Sequence, residues 1–594
     1  MTSVSRRTFV AAMTAGATLS AGSITSALAS EPQPALTPGT YAASAHGMIS
    51  DIEVEVTLGA SSIDAIVVTG EGESPLIGET ALDLLPQRIL DAQSLAVDAV
   101  SGATITSMAL LSAVGDCVEQ AGGDANSFQE PVAIEPDDET VDTDVLVVGS
   151  GIAALTAAVA AMKDGASVAV VEKEDVIGGT SAMAEGYFFS TNTGDADGLY
   201  QLFCDRAAKA HSDEFPVDSM LHVLADNNDA ALDMIRSTGV EILPLKEYTD
   251  ITATESGEAD TKARSAWRLI ESLSRFIEEN GGAIYTATPA TELLVDASGA
   301  VVGAVSDTAR GKKTFNARAT VLACGDYARN ADMMRELIPQ SQACYTVTAI
   351  GNTGDGMTLG ASAGAQFYPD QYVQGGPLIF DPMDVYRGSY SSPAFFAPTC
   401  MITSLDGDRR VGEDKGTRPI HYSYTNHEKA DGAWCIMDST TVADCEGVAE
   451  LVDQTTPDSF VQAYEADSLF HLALATQMNP EVLIRSVERY NALCEGGEDS
   501  DCGKDAQYLV PLVTPPFYAV RGYAICRGSL GGLVIDETGQ TLDENGEAIA
   551  GLYAAGTLAS RPFFSRTYDG GSALGIGATM GYVAGRSAAK AVKA

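Results

Sequence analysis

The sequence predicts an α/β protein of several domains: a small α+β unit, an acidic connector, and a large region built around a parallel sheet. Three observations lead there. At 594 residues the chain is about four times a ~150-residue domain. Residues 41 to 68 alternate apolar and polar with the period of strands. From Val145 a run of buried-strand type enters a glycine turn and then a long Ala-rich helix, the opening of a βαβ unit. Composition agrees, because 45% hydrophobic and 20% charged residues describe a chain able to fold. Its 35 basic residues stand against 81 acidic ones, a net charge of −46, which repels phosphate backbones and anionic lipid and excludes nucleic acid as a partner. Ten cysteines without a C-x-x-C and six histidines without paired spacing argue against zinc clusters, dithiol chemistry and haem attachment, so no metal site is expected. Cys494 and Cys502 are close enough in sequence to bridge in an oxidising compartment, and equally read as two free thiols.

Ser5-Arg6-Arg7-Thr8-Phe9-Val10 precedes a mildly apolar run and Ala27-Leu28-Ala29. Residues 1–29 thus resemble a twin-arginine export signal, with an ordinary secretory signal as the alternative. The resemblance implies a mature chain starting near Ser30, moved already folded and with its cofactor inserted, to the periplasm or cell exterior. No later run approaches ~18 apolar residues, so no stable membrane span is expected.

Residues 30–122 form the small unit, with strands at Tyr41 to Ala45, Ile52 to Leu58 and Ile63 to Val68 and a last helix starting near Thr106. Residues 123–141, including Glu135-Pro136-Asp137-Asp138-Glu139, hold too little apolar content to pack and read as a linker. Within the small unit, Asp98-Ala99-Val100-Ser101-Gly102-Ala103-Thr104 resembles the attachment motif of FMN-binding domains, as does Pro38-Gly39-Thr40-Tyr41 upstream. The resemblance implies that a flavin transferase joins FMN covalently to Thr104, or failing that Thr106, through a phosphoester. Small residues around a hydroxyl at a helix entrance let a phosphate approach, and the helix N-terminus favours its charge. An ordinary Ser/Thr helix cap is the simpler alternative.

In the large region Val145-Leu146-Val147-Val148 is the strand and Gly149-Ser150-Gly151-Ile152-Ala153-Ala154 the turn. A helix to Lys163 then leads to a strand from Ser167 to Val171 that ends at Glu172. Gly149 permits the tight turn, Gly151 admits a pyrophosphate to the helix N-terminus, and Glu172 is placed to accept hydrogen bonds from ribose hydroxyls. Lys173 and Gly178-Gly179-Thr180-Ser181 continue a pattern that suits FAD. From here residues 142 to 594 resemble the soluble fumarate reductase and 3-ketosteroid dehydrogenase flavoproteins. The carrying blocks are Val321-Leu322-Ala323-Cys324-Gly325, Asn352-Thr353-Gly354-Asp355-Gly356, Tyr490-Asn491, Pro515-Pro516-Phe517-Tyr518-Ala519, Gly531 to Asp536 and Gly551 to Gly556. The implied fold is a small FMN-binding α+β domain followed by a Rossmann-like FAD-binding domain, residues 142–371 and 516–594, with an inserted α+β capping domain, residues 372–515. The resemblance implies non-covalent FAD held by Ala153, Glu172, Thr180, Ser181, Gly186, Ala290, Asp355, Ala573 and Leu574, beside Gly149, Gly151 and Gly556. Two departures stand out: Thr557 where the family often has Glu, and Gly528 where it often has His.

Around the expected substrate, places that hold His, His and Arg in a dicarboxylate-reducing relative read Gly376, Arg527 and Tyr568 here. A Tyr ahead of the glycine pair Gly570-Gly571 is the ketosteroid dehydrogenase pattern, in which a phenol hydrogen-bonds a ketone. The family's proton-donating Arg is matched by Arg418, one residue late after Gly407-Asp408-Arg409-Arg410-Val411-Gly412-Glu413, while Arg418 and Arg409 also read as surface salt-bridge formers. Tyr568 is the second acid, and Tyr187 a weaker third. Arg527, Arg418 and Tyr568 are the donors available to polarise a substrate carbonyl. The expected activity is an exported ene-reductase, as in anaerobic respiration. Electrons pass from covalent FMN to FAD and as hydride to the activated C=C of an enone or α,β-unsaturated carboxylate rather than fumarate, supplied by a membrane or extracytoplasmic donor. A ketosteroid-type dehydrogenase running oxidatively, and a non-catalytic electron shuttle, are the alternatives.

Overall fold

The computed structural model describes residues 36–69, 72–133, 135–184, 186–188, 195–209, 217–240, 242–244, 251–252, 266–339, 344–375, 378–381, 397–415, 420, 423–424, 432–445, 447–456, 459–564 and 572–593. The residues of the expected export signal lie outside this set.

The first unit is an antiparallel sheet of β1 (Gly39–His46), β2 (Asp51–Leu58) and β3 (Ile63–Thr69). Alternation puts Ile52, Val54, Val56 and Leu58 of β2 on one buried face. Over it lie α1 (Gly78–Ala92), through Ala81, Leu85 and Ile89, and α2 (Thr104–Gln120), through Leu110, Ala113 and Val114, in one core. The three strands fall where alternation placed them, and α2 starts two residues earlier than its apolar periodicity suggested.

Residues 123–141 depart from the expected unpacked linker. Ala125–Phe128 forms a 3-10 turn that buries Phe128 in the first core, and β4 (Glu139–Val148) already begins at Glu139. One aromatic ring and a paired backbone achieve what the local composition does not announce.

The large unit is centred on the parallel strands Gly311–Leu322, β4, β5 (Val168–Val171) and Ala283–Tyr285, with Val321 opposite Val147 and Val147 opposite Val170. α3 (Ile152–Lys163) follows β4 and is buried along nearly its whole length. It can be, because the C-terminal helix Ser572–Ala591 crosses it through glycines spaced by four: a Cβ on Gly581 would come 2.2 Å from the Ala153 carbonyl, and one on Gly585 2.2 Å from that of Ala157. Gly581→Val should therefore force the helices apart and destabilise the protein by about 3 kcal/mol or more, read as a lowered denaturant midpoint.

A separate antiparallel sheet orders Met401–Thr403, Ala433–Asp438, Phe517–Gly522 and Ala463–Ala466. Its third strand lies beyond residue 515, so this sheet crosses the boundary that the sequence reading set at the end of the expected capping domain. A smaller sheet sets Tyr372–Gly375 antiparallel to Ile525–Leu530. No described helix is long and apolar enough to cross a membrane, and among the described residues no group of three or more His, Cys, Asp or Glu could hold a metal ion. Cys494 and Cys502 are free thiols.

The two units meet at the loop carrying the 98–104 motif. Arg88 Nη2 lies 2.6 Å from Asp175 Oδ1, the Ser101 N–H donates to Asp175 Oδ2 at 2.9 Å, and the Asp175 N–H donates to Ser101 Oγ at 2.7 Å. Burial raises the Asp175 pKa, but Arg88 and the Ser101 amide outweigh that and hold the carboxyl below its ordinary value. Asp175→Ala should weaken this docking by about 1.5–3 kcal/mol, seen as faster protease cleavage within residues 131–136.

Candidate active site

The sequence between β4 and α3 dictates one end of a cleft. Gly149 has φ +106, and a Cβ there would fall 2.6 Å from the Ala323 carbonyl, so only glycine fits. Gly151 caps α3. Between them Ser150, which sequence reasoning passed over as the variable residue of G-x-G, donates to Glu172 Oε2 at 2.5 Å and accepts from the Gly178 N–H at 2.8 Å. Glu172 also accepts from the Glu174 N–H at 3.0 Å. Burial pushes its carboxyl up against those hydrogen bonds. The Ser181 hydroxyl receives the Ile152 N–H at 3.1 Å, and Thr180 receives the Ala349 N–H at 3.0 Å. Lys173 bonds Asp355 Oδ2 at 2.7 Å and Thr353 Oγ1 at 2.6 Å, tying the end of β5 to the start of the helix Asp355–Ser362.

Every residue that the sequence proposed for FAD lines this one cleft: Gly149, Gly151, Ala153 and Glu172 from the βαβ turn, Thr180, Ser181 and Gly186 from the following segment, and Ala290, Asp355, Gly556, Ala573 and Leu574 from later in the chain. Gly577 of the C-terminal helix lines it too, so the close helix crossing is what brings Ala573 and Leu574 to the wall. The donor set fits a dinucleotide: glycine-cleared backbone at a helix N-terminus, with a buried carboxylate at the end of the next strand.

Beyond the glycine turn the cleft is walled by Asp326, Asn352, Gln374 and Arg527. The pairing of Tyr372–Gly375 with Ile525–Leu530, Gly375 opposite Cys526, brings Gln374 and Arg527 together. Arg527 is half-buried. Asp326 was missed, since the motif block around it ends one residue earlier, at Gly325. It also explains one departure: a Cβ on Gly528 would lie 2.6 Å from Asp326 Oδ2, so a larger residue is shut out there. Cys324 in the same wall has its thiol pushed up to about 12 by burial and stays protonated.

Arg418 and Tyr568, the two acid candidates, and Gly376 lie outside the described residues, as does the Tyr187 side chain. Arg409 is not at the surface, as a salt-bridge former was expected to be. Its side chain is buried, 2.9 Å from Glu413 and 2.7 Å from Asp499, with its guanidinium over the Tyr490 ring, while Lys504 stands 3.2 Å from Glu413. Arg409→Ala leaves two buried carboxylates short of a partner and should cost about 3–5 kcal/mol, read as an early unfolding transition.

In the first unit Thr104 is exposed as the first residue of α2, beside the solvent-facing Ile105 and Met108, 53% and 58% exposed. Thr106 is buried and donates to Glu73 Oε2 at 2.9 Å. A free hydroxyl at a helix N-terminus next to uncovered apolar side chains fits a phosphate carrying a flat ring system; an occupied, buried one does not.

Residues 144–574 match the model of the FAD binding domain family, and residues 47–119 match that of the FMN-binding domain. The chain belongs to the FAD binding domain family. This flavoprotein is 26% identical to NADH:acrylate oxidoreductase of Vibrio harveyi over 93% of its own length and 61% of that protein's, so it spans less than two thirds of that relative. It is 27% identical to urocanate reductase of Eggerthella lenta over 87% of each. Its fold matches the open conformation of a flavocytochrome c3 fumarate reductase with a TM-score of 0.55 and 24% identity, over 76% of this chain and 79% of that one. The flavoprotein is thus an FAD-binding fold with an FMN-binding domain ahead of it, as its motifs implied.

Proposed function

We propose that this flavoprotein is an exported ene-reductase acting on the C=C bond of an enone or α,β-unsaturated carboxylate other than fumarate. The observation that carries the reading is Arg527, which lines the cofactor cleft itself beside Gln374, on the strand paired with Tyr372–Gly375. The named activities of the relatives, acrylate and urocanate reduction, agree with a single polarised alkene substrate. Bound FAD would supply hydride, and FMN on Thr104 would supply electrons from an extracytoplasmic or membrane donor. Glu172, Gly149 and Gly151 would hold the adenosine and pyrophosphate, and Thr180, Ser181, Asp355, Ala573 and Leu574 would wall the rest. Arg527 draws negative charge toward the substrate carbonyl as it develops, and Arg418 or Tyr568 delivers the proton. Residues 1–29 act as the export signal, 30–122 carry FMN after a flavin transferase has acted, and the segment 372–515, completed by the strand Phe517–Gly522, caps the substrate, excluding water when closed. Among the described residues lining the cleft the cations are Lys173, engaged by Asp355 and Thr353, and Arg527, and Arg527 suits a ketone or a single carboxylate.

The test supplies purified holoenzyme with chemically reduced viologen and a panel of enones, acrylates and fumarate. Alkene-dependent viologen oxidation by enones or acrylates, at least tenfold above fumarate at equal concentration, is the expected result. No reoxidation with any alkene would overturn the reading.

A further inference from the structure

The wall of the cofactor cleft holds a buried carboxylate, Asp326, to which the proposed reaction gives no task. Asp326 follows the strand Gly311–Leu322, is 2% exposed, and lines the cleft with Asn352, Gln374 and Arg527. Its carboxylate is fixed: Oδ1 accepts from the Ala328 N–H at 2.8 Å, Oδ2 from Asn352 Nδ2 at 3.0 Å, and the Ser529 N–H is a third donor. Gly528, with φ +146, clears the space in front of Oδ2. The charged and titratable groups around it are few. Arg329 turns its guanidinium to the Thr348 carbonyl, at 2.7 and 3.1 Å. The burial of Tyr327 and Cys526 raises the pKa of each, so both are neutral. Arg527 shares the cleft wall.

We propose that Asp326 is a proton-binding site coupled to the redox state of FAD, taking up one proton as an electron pair enters the cofactor and releasing it when the pair leaves. The inference rests on the reading that FAD fills the cleft. Burial pushes the carboxyl up to about 7, against the hydrogen bonds from Ala328, Asn352 and Ser529 and the attraction of Arg329. Above that pH Asp326 is an anion in the wall of a cleft whose FAD would gain negative charge on reduction, and a like charge raises a carboxyl's affinity for protons. The balance is two electrons from a low-potential chemical or extracytoplasmic donor, one proton to the flavin ring and one to Asp326. Below about pH 7 Asp326 is already protonated and takes up no further proton, so any uptake there is by the ring.

The experiment is a reductive titration of the full-length, FAD-loaded chain with dithionite, in a Thr104→Ala background that removes the FMN signal, at pH values on both sides of 7. The slope of midpoint potential against pH counts protons per electron pair. Above pH 7 the parent should take up two and Asp326→Asn one, with Asp326→Glu restoring two. One proton on both sides of pH 7 in the parent, or an unchanged slope in Asp326→Asn, would overturn the proposal. Should Asp326→Asn not retain FAD, infrared difference spectra of the parent decide: a protonated-carboxyl band that appears on reduction and shifts in deuterated water supports the site, and no such band overturns it. A purified chain that releases no adenine-bearing flavin on denaturation fails earlier, at the cofactor reading, and takes the proposal with it.

Discussion

Thr104→Ala is expected to yield a protein with FAD in its cleft and no covalently attached flavin. The parent peptide containing Thr104 should carry the mass of an FMN phosphoester, and the variant peptide should not. The paired variant Thr106→Ala separates the two hydroxyls. Thr106 is buried and donates a hydrogen bond to Glu73, so its loss should leave the adduct intact and lower stability by about 1.5–3 kcal/mol. Glu73 also accepts the N–H groups of Ile49 and Ser50, so the destabilisation should appear as loosening of the β1–β2 turn. With FMN gone, turnover driven by an external donor should fall sharply, while FAD reduced directly by dithionite should still react with substrate. An adduct surviving in Thr104→Ala would move the attachment point and remove the reason for reading this unit as the electron entrance.

Arg527→Ala should lower kcat/KM by ~10²–10³-fold, the typical loss when one preorganised donor to a developing negative charge is deleted. Arg527→Lys should recover only part of it, because a point charge does not reproduce the planar fork of a guanidinium. The FAD content of both variants, measured by absorbance, should match the parent, since the groups proposed to hold the cofactor, Glu172, Gly149 and the C-terminal helix, line other parts of the cleft. A drop in KM affinity with kcat unchanged would make Arg527 a binding group alone.

Much of this was legible in the residues. The strand, glycine turn, helix and terminal carboxylate of 145–172 constrain one another so tightly that the βαβ unit followed from the chain alone, and the residues proposed around it converge on a single cleft. Other features depend on contacts between distant segments. Ser150 reads as filler in G-x-G until Glu172 stands 2.5 Å away. Asp326 draws no notice until Asn352 and Gly528 surround it. Arg409 looks solvated in a stretch dense with charge, yet Asp499, 90 residues further on, meets it in the interior. Phe128 sits in a segment whose composition argues for disorder, and a single ring anchors it.

The clasp formed by Arg88, Ser101 and Asp175 fixes the motif loop to the large unit, and because Phe128 and β4 pin the connector at both ends, few residues remain free between them. A prosthetic group on Thr104 would thus ride on a stationary arm instead of swinging between donor and acceptor. Its transfer rate should then depend on tunnelling distance and driving force, and stay indifferent to added glycerol, where a tethered carrier would slow in proportion to viscosity.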